Sequence, residues 1–192
     1  MALSSVPPPQ SSPPAGAPST APITVVRLAT PEDAPAIARI YNQGIEERVA
    51  TFETERRTPE AVAAQLRERG DRYPTVVVER DGVVIGFATV GPYRSRPCYA
   101  GVDEFSVYTE RAARRAGAGR AALEGLIRAC TERGFWKLVS RVFPENAASR
   151  ALHRRAGFRE VGVYRRHAQL EGQWRDCVII EKLLGEAAEG EP

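Results

Sequence analysis

The chain has 192 residues, which is enough for one domain of ordinary size with a substantial hydrophobic core. Its net charge of +3 argues against a dedicated nucleic-acid-binding surface, although local basic clusters could still hold small anions. No apolar run is long enough to cross a bilayer and the amino terminus lacks the features of a signal peptide, so we expect a cytoplasmic protein without a membrane partner.

The first 22 residues differ in composition from the rest of the chain. They hold seven of the fifteen prolines and no aromatic side chain. Such a segment cannot bury enough apolar surface to fold, so we expect a disordered tail over residues 1–22. One folded domain is predicted over residues 23–184, followed by a second disordered tail over residues 185–192.

One strand, two helices and a connector are predicted in the first part of the domain. An apolar strand over residues 23–28 precedes a helix that starts at Thr30, and a second helix is expected over residues 58–70. Between the helices, residues 42–57 show no clear hydrophobic period. This segment could be a loop that closes over a ligand or a packed connector, and the sequence does not distinguish the two.

Three strands follow the second helix. Residues 75–79 and 83–90 are apolar, and Asp81 and Gly82 join them with the strongest short hairpin signal. The next strand, over residues 102–109, is β-branched and aromatic with a carboxylate in its middle, which is typical of a partly buried strand. We expect all three strands to lie in one sheet.

The last elements alternate between helix and strand before a final strand pair. We predict a helix over residues 119–133, a strand over residues 137–142, a helix from residue 145 or 146 to residue 157, and strands over residues 160–166 and 174–182. The pattern indicates an α/β fold in which one sheet carries helices on its surface. The sequence shows no repeat of the length that solenoid proteins use.

A basic glycine loop precedes the third predicted helix. Gly117 and Gly119 stand among Arg114, Arg115 and Arg120. A helix amino terminus offers free amide groups and a partial positive charge that suit a phosphate, and glycine lets a pyrophosphate approach the backbone. The loop fits neither the Walker A nor the GxGxxG fingerprint. A glycine-loosened turn with solvated arginines is the alternative interpretation.

Two stretches together resemble the GNAT superfamily of acyl-CoA-dependent N-acetyltransferases. RRAGAGR resembles the phosphate loop after the fourth strand of that family, and PENAASRALHRRAGF resembles the exit of its fifth strand and its fourth helix. The resemblance covers residue 23 to about residue 184. It implies the GNAT fold, which has a central mixed sheet of about seven strands with four helices, and in which strands 4 and 5 splay apart.

A closer resemblance is to the phosphinothricin acetyltransferase branch, including the arsinothricin N-acetyltransferases. Among the stretches that carry it are IYNQGIEERVATFETERRTPE, GPYRSRPCYAGVDEFSVY and LHRRAGFREVGVY. This resemblance implies an enzyme that uses acetyl-CoA to acetylate the α-amino group of a toxic anionic amino acid, phosphinothricin-like or arsinothricin-like, and so gives resistance. It also implies a homodimer.

The same resemblance implies where acetyl-CoA binds, in the cleft between strands 4 and 5. Backbone groups of Val107, Tyr108 and Thr109 would pair with the pantetheine arm, and Asn146 would hold the far side of that arm. The pyrophosphate would be wrapped by Arg115, Ala116, Gly117, Ala118, Gly119 and Arg120. No metal is implied.

Glu104 and His153 are the candidate acid–base residues. An amine must be neutral to attack a thioester, so a base is needed near the acceptor. Glu104 lies in the middle of a strand, where partial desolvation would make it a better base, and the resemblance implies the same role; the alternative is a carboxylate merely paired with Arg94 or Arg96. By resemblance, His153 could protonate the CoA thiolate or share the work of the base, and the alternative is a structural histidine.

Arg94 and Arg96 are the candidate residues for binding the anions of the acceptor. Two guanidinium groups separated by one residue could present rigid forks to a carboxylate and to a phosphinate or arsinate group. A solvated loop is the alternative. By resemblance, Tyr99 and Phe52 would complete the pocket.

The three cysteines show no catalytic or metal-binding pattern. Cys98, Cys130 and Cys177 are far apart, so neither a disulfide framework nor a zinc site is predicted. None lies in a recognisable nucleophile arrangement, which favours direct transfer in a ternary complex. Two other functions remain open, namely acetylation of methionine sulfoximine or sulfone and a non-catalytic CoA-binding regulatory domain.

Overall fold

The computed structural model describes residues 24–189, which form one seven-stranded sheet with helices on both faces. The tail predicted over residues 1–22 lies outside the described residues, as do residues 190–192. Within the described part of the chain, no helix is both long enough and apolar enough to cross a membrane.

Seven strands and five helices make up the described residues. The strands are β1 (Thr24–Leu28), β2 (Thr75–Arg80), β3 (Val83–Pro92), β4 (Val102–Thr109), β5 (Lys137–Val142), β6 (Arg159–Leu170) and β7 (Gln173–Leu183). The helices are α1 (Ala34–Glu47), α2 (Pro59–Arg69), α3 (Ala118–Glu132), α4 (Ala147–Arg155) and the one-turn α5 (Glu186–Glu189). The prediction of an α/β fold with about seven strands and four main helices is confirmed.

The starts of the first two helices follow from their capping residues. Thr30 N donates to Asp33 Oδ2 at 2.8 Å in the turn that precedes α1. At the start of α2, Ala61 N donates to Thr58 Oγ1 at 3.2 Å. Both bonds satisfy amide groups that a helix amino terminus would leave free. Because α1 continues to Glu47, the first part of the segment predicted as a connector is helical.

The sheet order is β1-β2-β3-β4-β5-β7-β6, and the pair β4–β5 is the parallel one among its antiparallel neighbours. β4 and β5 pair only over Val102–Glu104 and Lys137–Val139. In contrast, β4 pairs with β3 from Asp103 to its end at Thr109. The predicted splay of strands 4 and 5 is therefore present, and it opens beyond Glu104.

The two faces of the sheet bury two separate clusters of apolar side chains. α3 covers one face, where Phe105 and Leu126 are buried. α1 and α2 cover the other face, where Ile40 and Phe87 are buried. Successive side chains of a strand point to opposite faces, so this arrangement decides which helical layer each β4 side chain meets. Tyr108 meets the layer of α1 and α2.

The hairpin of β6 and β7 is longer than predicted. Glu171 and Gly172 both have positive φ angles, of 49° and 76°, as a tight two-residue turn requires. The sequence predicted that β6 would end at Arg166, but the strand continues to Leu170 after an irregularity between Tyr164 and Ala168. The side chains of this stretch are mostly exposed and several are charged, so the sequence lacks the apolar alternation that indicates a strand.

The structure describes the first residues of the segment predicted as a disordered tail over residues 185–192. α5 occupies Glu186–Glu189. The preceding Leu184 is 3% exposed and lies in the same cluster as the α3 side chains. Burial of this leucine fixes the chain where it leaves the sheet.

Candidate active site

The main-chain groups of β4 alternate between its two neighbours. Just after β4, Glu110 N donates to Ile85 O on the β3 side at 2.8 Å. Just before β4, Gly101 O accepts from Trp136 N at 2.9 Å on the β5 side. Even-numbered residues of β4 therefore turn their N–H and C=O groups towards β3, and odd-numbered residues turn theirs towards β5.

The odd-numbered residues lose their strand partner where β5 diverges. Phe105, Val107 and Thr109 lie beyond the last paired residue, so their N–H and C=O groups line the gap. An extended ligand that carries amide groups can pair with such an edge in the way that an added strand does. Val107 and Thr109 lie where the predicted pantetheine contacts require, and Phe105 is an edge residue that the sequence analysis missed.

The backbone of Tyr108 faces β3 and not the gap beside β5. Its carbonyl oxygen lies on the β3 side, 3.2 Å from where a Cβ on Gly86 would be. Its ring packs against Tyr41 and Phe87, with centroid distances of 4.7 and 5.4 Å. Burial raises the pKa of Tyr108 well above its usual value. The prediction that its backbone pairs with pantetheine is therefore wrong, because β3 already occupies that side.

The glycine loop is shaped around the amino terminus of α3. Arg115 and Gly117 have φ angles of 61° and 85°, and α3 starts at Ala118 immediately afterwards. A Cβ on Gly119 would lie 3.1 Å from Thr109 Oγ1, so a larger residue there would crowd the end of β4. The first turn of α3 consequently lies close to the open edge, where its free amide groups could bind a phosphate.

The arginines of this loop differ in their partners. Arg114 and Arg111 both donate to Glu47 of α1, at 2.7 and 2.9 Å, and Arg111 N donates to Gln43 Oε1 at 2.8 Å. Arg120 donates to Glu124 at 2.7 Å, one turn further along α3. Arg115 is exposed and makes no ion pair with any described residue. It is therefore the loop guanidinium that is free to meet an anion.

Glu104 is partly buried at the middle of β4. Its side chain is 38% exposed, and its carboxylate accepts from Arg141 Nη2 at 2.5 Å. The ion-pair partner is therefore Arg141 of β5 rather than Arg94 or Arg96. The ion pair spans the point at which β4 and β5 separate.

His153 is almost completely buried, at 2% exposed. Its ring packs against Phe105 and Phe158, with centroid distances of 5.4 and 5.5 Å. The Nδ1 atom lies 3.3 Å from Ser149 Oγ, whereas Nε2 is buried without a partner among the described residues. Burial lowers the pKa of His153 to about 4, so the ring is neutral at pH 7.

Glu104 and His153 lie on different faces of the sheet. Phe105, which His153 contacts, points towards the α3 layer. Glu104 is the adjacent residue, so its side chain points towards the layer of α1 and α2. The structure does not bring the two predicted acid–base side chains onto one surface.

Arg94, Arg96 and Tyr99 lie on the exposed segment between β3 and β4. The Arg94 guanidinium stacks over Tyr93 and Tyr99, at 5.2 and 5.8 Å from the ring centroids. Neither Arg94 nor Arg96 forms an ion pair with a residue of the described chain. The segment before β4, the strand that carries Glu104, therefore has two positive charges without a counter-charge among the described residues.

Phe52 and Asn146 connect the segment after α1 to the far side of the cleft. Phe52 makes an edge contact with Phe143 at a centroid distance of 4.9 Å. Asn146 Nδ2 donates to Val49 O at 3.0 Å, while its Oδ1 accepts from Ser149 N at 3.1 Å. The segment is therefore a packed connector, and the side chain of Asn146 already uses both of its polar atoms.

Asp103 is a buried carboxyl group that the sequence analysis did not single out. It is 1% exposed, and its Oδ2 has no partner in the described chain. Burial raises the pKa of Asp103 to about 7, against the opposing effect of Arg72. Burial and the nearby Asp103 together raise the pKa of Cys130 to about 12. No sequence signal separates Asp103 from the carboxylates of an exposed strand face.

A cavity lies between the sheet and the layer of α1 and α2. Its empty volume is about 450 Å³, including its open mouth, and its walls include Arg57, Arg69, Thr89 and Ser106. The sequence analysis missed it, because its residues come from α2, β3, β4 and the connector, and only folding brings them together. Residues 24–189 contain no group of His, Cys, Asp or Glu side chains that could hold a metal ion.

Comparison with known proteins supports the predicted acetyltransferase family. A family described as "Acetyltransferase (GNAT) family" matches residues 38–158. The phosphinothricin N-acetyltransferase of Alcaligenes faecalis is 36% identical over 167 residues, which cover 83% of this chain and 82% of that protein. This chain belongs to the GNAT acetyltransferase family.

Two further relatives of this GNAT protein narrow the type of enzyme. The L-methionine sulfoximine/L-methionine sulfone acetyltransferase of Salmonella typhimurium is 32% identical over 85% of this chain and 96% of that protein. A phosphinothricin acetyltransferase of Sinorhizobium meliloti, solved in complex with acetyl-CoA, has a TM-score of 0.80 at 31% identity, covering 88% of this chain and 92% of that one. The protein is an acetyl-CoA-dependent N-acetyltransferase of the phosphinothricin and methionine sulfoximine acetyltransferase type.

The buried Asp103 makes the stability of the GNAT domain depend on pH. Between the unfolded pKa of 3.8 and the folded pKa of about 7, the native state holds one more proton than the unfolded state, so this residue lowers stability as pH rises. The unfolding free energy of Asp103→Asn minus that of the parent should increase by at least about 1 kcal/mol from pH 5 to pH 8. Urea denaturation at both pH values measures this difference.

Asp71→Asn is the matched control for this prediction. Asp71 is exposed, so the same chemical change there should give a difference that does not vary between pH 5 and pH 8. His153 has the opposite effect on stability, because its lowered pKa destabilises the folded state as pH falls below 6.5, the usual pKa of histidine. Comparing variant with parent cancels this contribution. A constant difference for Asp103→Asn would contradict the assigned burial of its charge.

Proposed function

We propose that this enzyme acetylates the α-amino group of an amino acid that carries a second anionic group, and that arsinothricin-like or phosphinothricin-like acids are its acceptors. Acetylation would remove their toxicity and so give resistance. The observation that carries this proposal is the pair of guanidinium groups on Arg94 and Arg96, which are exposed beside the start of β4 and have no ion-pair partner within residues 24–189. The names of the relatives from Alcaligenes faecalis and Sinorhizobium meliloti support the same acceptor class.

The proposed reaction is a direct transfer in a ternary complex. Acetyl-CoA supplies the acetyl group as a thioester. Glu104 takes a proton from the acceptor ammonium, and the freed amine nitrogen forms a bond to the acetyl carbon. The carbon–sulfur bond breaks, and CoA leaves as a thiolate that takes up the second amine proton to become the free thiol. Amide groups on the open edge of β4 are available to stabilise the charge that develops on the carbonyl oxygen.

The glycine loop completes the proposed site. The neutral ring of His153 cannot supply an imidazolium proton at pH 7, and its position on the other face of the sheet from Glu104 argues against a share in the work of the base. Arg115, Gly117 and the first turn of α3, which includes Gly119, would hold the phosphates of acetyl-CoA. Val107 and Thr109 would pair with its pantetheine arm.

Acetylation of methionine sulfoximine or sulfone is the second candidate function. The similarity to the Salmonella typhimurium enzyme favours it, since 96% of that protein is covered. This acceptor would need one anion-binding group for its carboxylate, whereas a phosphinate or arsinate acid would need two. The unpaired Arg94 and Arg96 therefore favour the diacidic acceptors.

A thiol-release assay with acetyl-CoA tests the proposed function. We expect phosphinothricin and arsinothricin to give kcat/KM values at least roughly 10-fold above those for methionine sulfoximine and sulfone, because a second charge-assisted contact contributes on the order of 1.5 kcal/mol or more. A reversed order would establish the sulfoximine activity instead. Absence of turnover with every acceptor, together with retained CoA binding, would favour a non-catalytic CoA-binding domain.

The variant Glu104→Gln tests the proposed base. We expect kcat to fall by roughly 10²-fold or more at neutral pH, because the amide cannot accept the ammonium proton. Glu160→Gln is the matched control, since it breaks a comparable ion pair with Arg150, at 2.8 Å, outside the proposed site. Near-normal turnover by Glu104→Gln would remove this residue from proton transfer.

We also propose that the enzyme is a cytoplasmic homodimer that binds neither nucleic acid nor membrane. The described cysteines are free, which supports a reducing compartment. β6 is an edge strand, and Val163, Tyr164 and Trp174 of its hairpin are 53%, 54% and 57% exposed. Light scattering should give twice the chain mass, and a single-chain mass at micromolar concentration would contradict the dimer.

A further inference from the structure

The cavity under α1 and α2 contains two guanidinium groups. Arg57 lines it from the connector and Arg69 from the last turn of α2, and Thr75, Thr89 and Ser106 line it from the strands β2, β3 and β4. The remaining walls are mainly apolar. An anion with a small apolar body would match this combination of charge, hydroxyl groups and apolar surface.

The charge of Arg57 is already compensated. Its Nε donates to Glu53 Oε2 at 2.9 Å and its Nη2 donates to Glu53 Oε1 at 2.5 Å. Its guanidinium also lies 4.1 Å from the centroid of the Tyr41 ring. Glu53 and Tyr41 therefore hold Arg57 as a fixed part of the cavity wall.

The charge of Arg69 has no such compensation. Its Nη1 donates to Thr89 Oγ1, which is neutral, and no ion pair within residues 24–189 includes Arg69. Burial lowers the pKa of Arg69, and the charge of Arg57 adds to this effect. A partly buried guanidinium without a counter-charge is destabilising, so an anion that enters the cavity gains from meeting it.

Arg69 also lies next to the proposed base. Its Nη2 lies 3.6 Å from where a Cβ on Gly91 would be. Gly91 is the cross-strand partner of Glu104, and Thr89 is the partner of Ser106. Side chains of directly paired residues lie on the same face of a sheet, about 5 Å apart. The guanidinium of Arg69 and the carboxylate of Glu104 therefore belong to one surface.

This separation matches the chemistry of an α-amino acid. The α-carboxylate is two bonds from the amine nitrogen, so a group that binds it must lie within about one strand spacing of the base that serves the amine. Arg69 meets this requirement on the same sheet face as Glu104. Arg94 and Arg96 lie on the exposed segment outside the cavity, where they could bind the second anionic group of the acceptor.

We infer that Arg69 binds the α-carboxylate of the acceptor amino acid, with the hydroxyl group of Thr89 holding the guanidinium in position. This inference rests on the proposed function and deepens it, because it assigns the two anions of the acceptor to separate groups. It also makes the enzyme selective for free α-amino acids over amines and amino-acid amides, which leave the guanidinium without a counter-charge.

The experiment compares each acceptor with its α-carboxamide. Phosphinothricin, methionine sulfoximine and their α-carboxamides are assayed with the parent enzyme and with Arg69→Met, which keeps the length of the side chain but removes its charge. We expect Arg69→Met to lower kcat/KM by roughly 10- to 100-fold for the acids and by less than about 3-fold for the amides. The KM for acetyl-CoA should not change.

Two further variants keep the test decisive. Arg67→Met alters an exposed arginine of the same helix and should leave the ratio of acid to amide unchanged. Arg69→Lys keeps a positive charge without the planar fork, and it should lower the ratio by an intermediate factor even if Arg69→Met does not fold.

The outcomes separate this inference from the proposed function. Equal losses for acids and amides in the Arg69 variants, or no loss for either, would overturn the role of Arg69 while leaving the acetyltransferase activity in place. Failure of the parent enzyme to acetylate any of the acids would overturn the proposed acceptor class itself. A preference of the parent enzyme for the amides would also overturn the carboxylate site.

Discussion

The separation of β5 from β4 after three residue pairs is the constraint on which the rest of the site depends. A strand edge inside a protein leaves amide and carbonyl groups that require partners. Here β3 pairs with β4 from Asp103 to Thr109, whereas the other side of β4 is left open from Phe105 to Thr109. The same gap admits the amino terminus of α3 at one end and the Glu104–Arg141 ion pair at the other. One interruption in the sheet thus provides a main-chain edge, an anion-binding helix end and a carboxylate.

The arginines fall into two groups according to whether a carboxylate accompanies them. Many are neutralised within the fold, as Arg150 is by Glu160 at 2.8 Å. Those that lack an ion-pair partner in the described chain include Arg115 at the phosphate loop and Arg69, Arg94 and Arg96 around the acceptor side. Both proposed substrates are anionic, so these four guanidinium groups lie where they can attract them.

The sequence predicted the elements well and the contacts between them poorly. The strand over residues 102–109 was predicted with its observed bounds, because β-branched residues and a following glycine loop are local signals. Whether Tyr108 turns its carbonyl group towards β3 or β5 depends on register, which local pattern does not encode. Arg141, the partner of Glu104, lies 37 positions away on a different strand. Arg69 falls within the helix predicted over residues 58–70, and nothing in the sequence distinguishes it, since its lack of a counter-charge exists only after folding.

The attachment of the phosphate loop to α1 has an entropic consequence. Arg111 and Arg114 both bind Glu47, and the main chain of Arg111 is held by Gln43. These bonds restrict the backbone just before the helix amino terminus without involving any ligand. The conformational entropy of that segment is therefore lost when the chain folds, and a phosphate that arrives later meets a pre-ordered surface. Under the proposed function, these bonds would contribute to the affinity for acetyl-CoA although none of their residues needs to touch it.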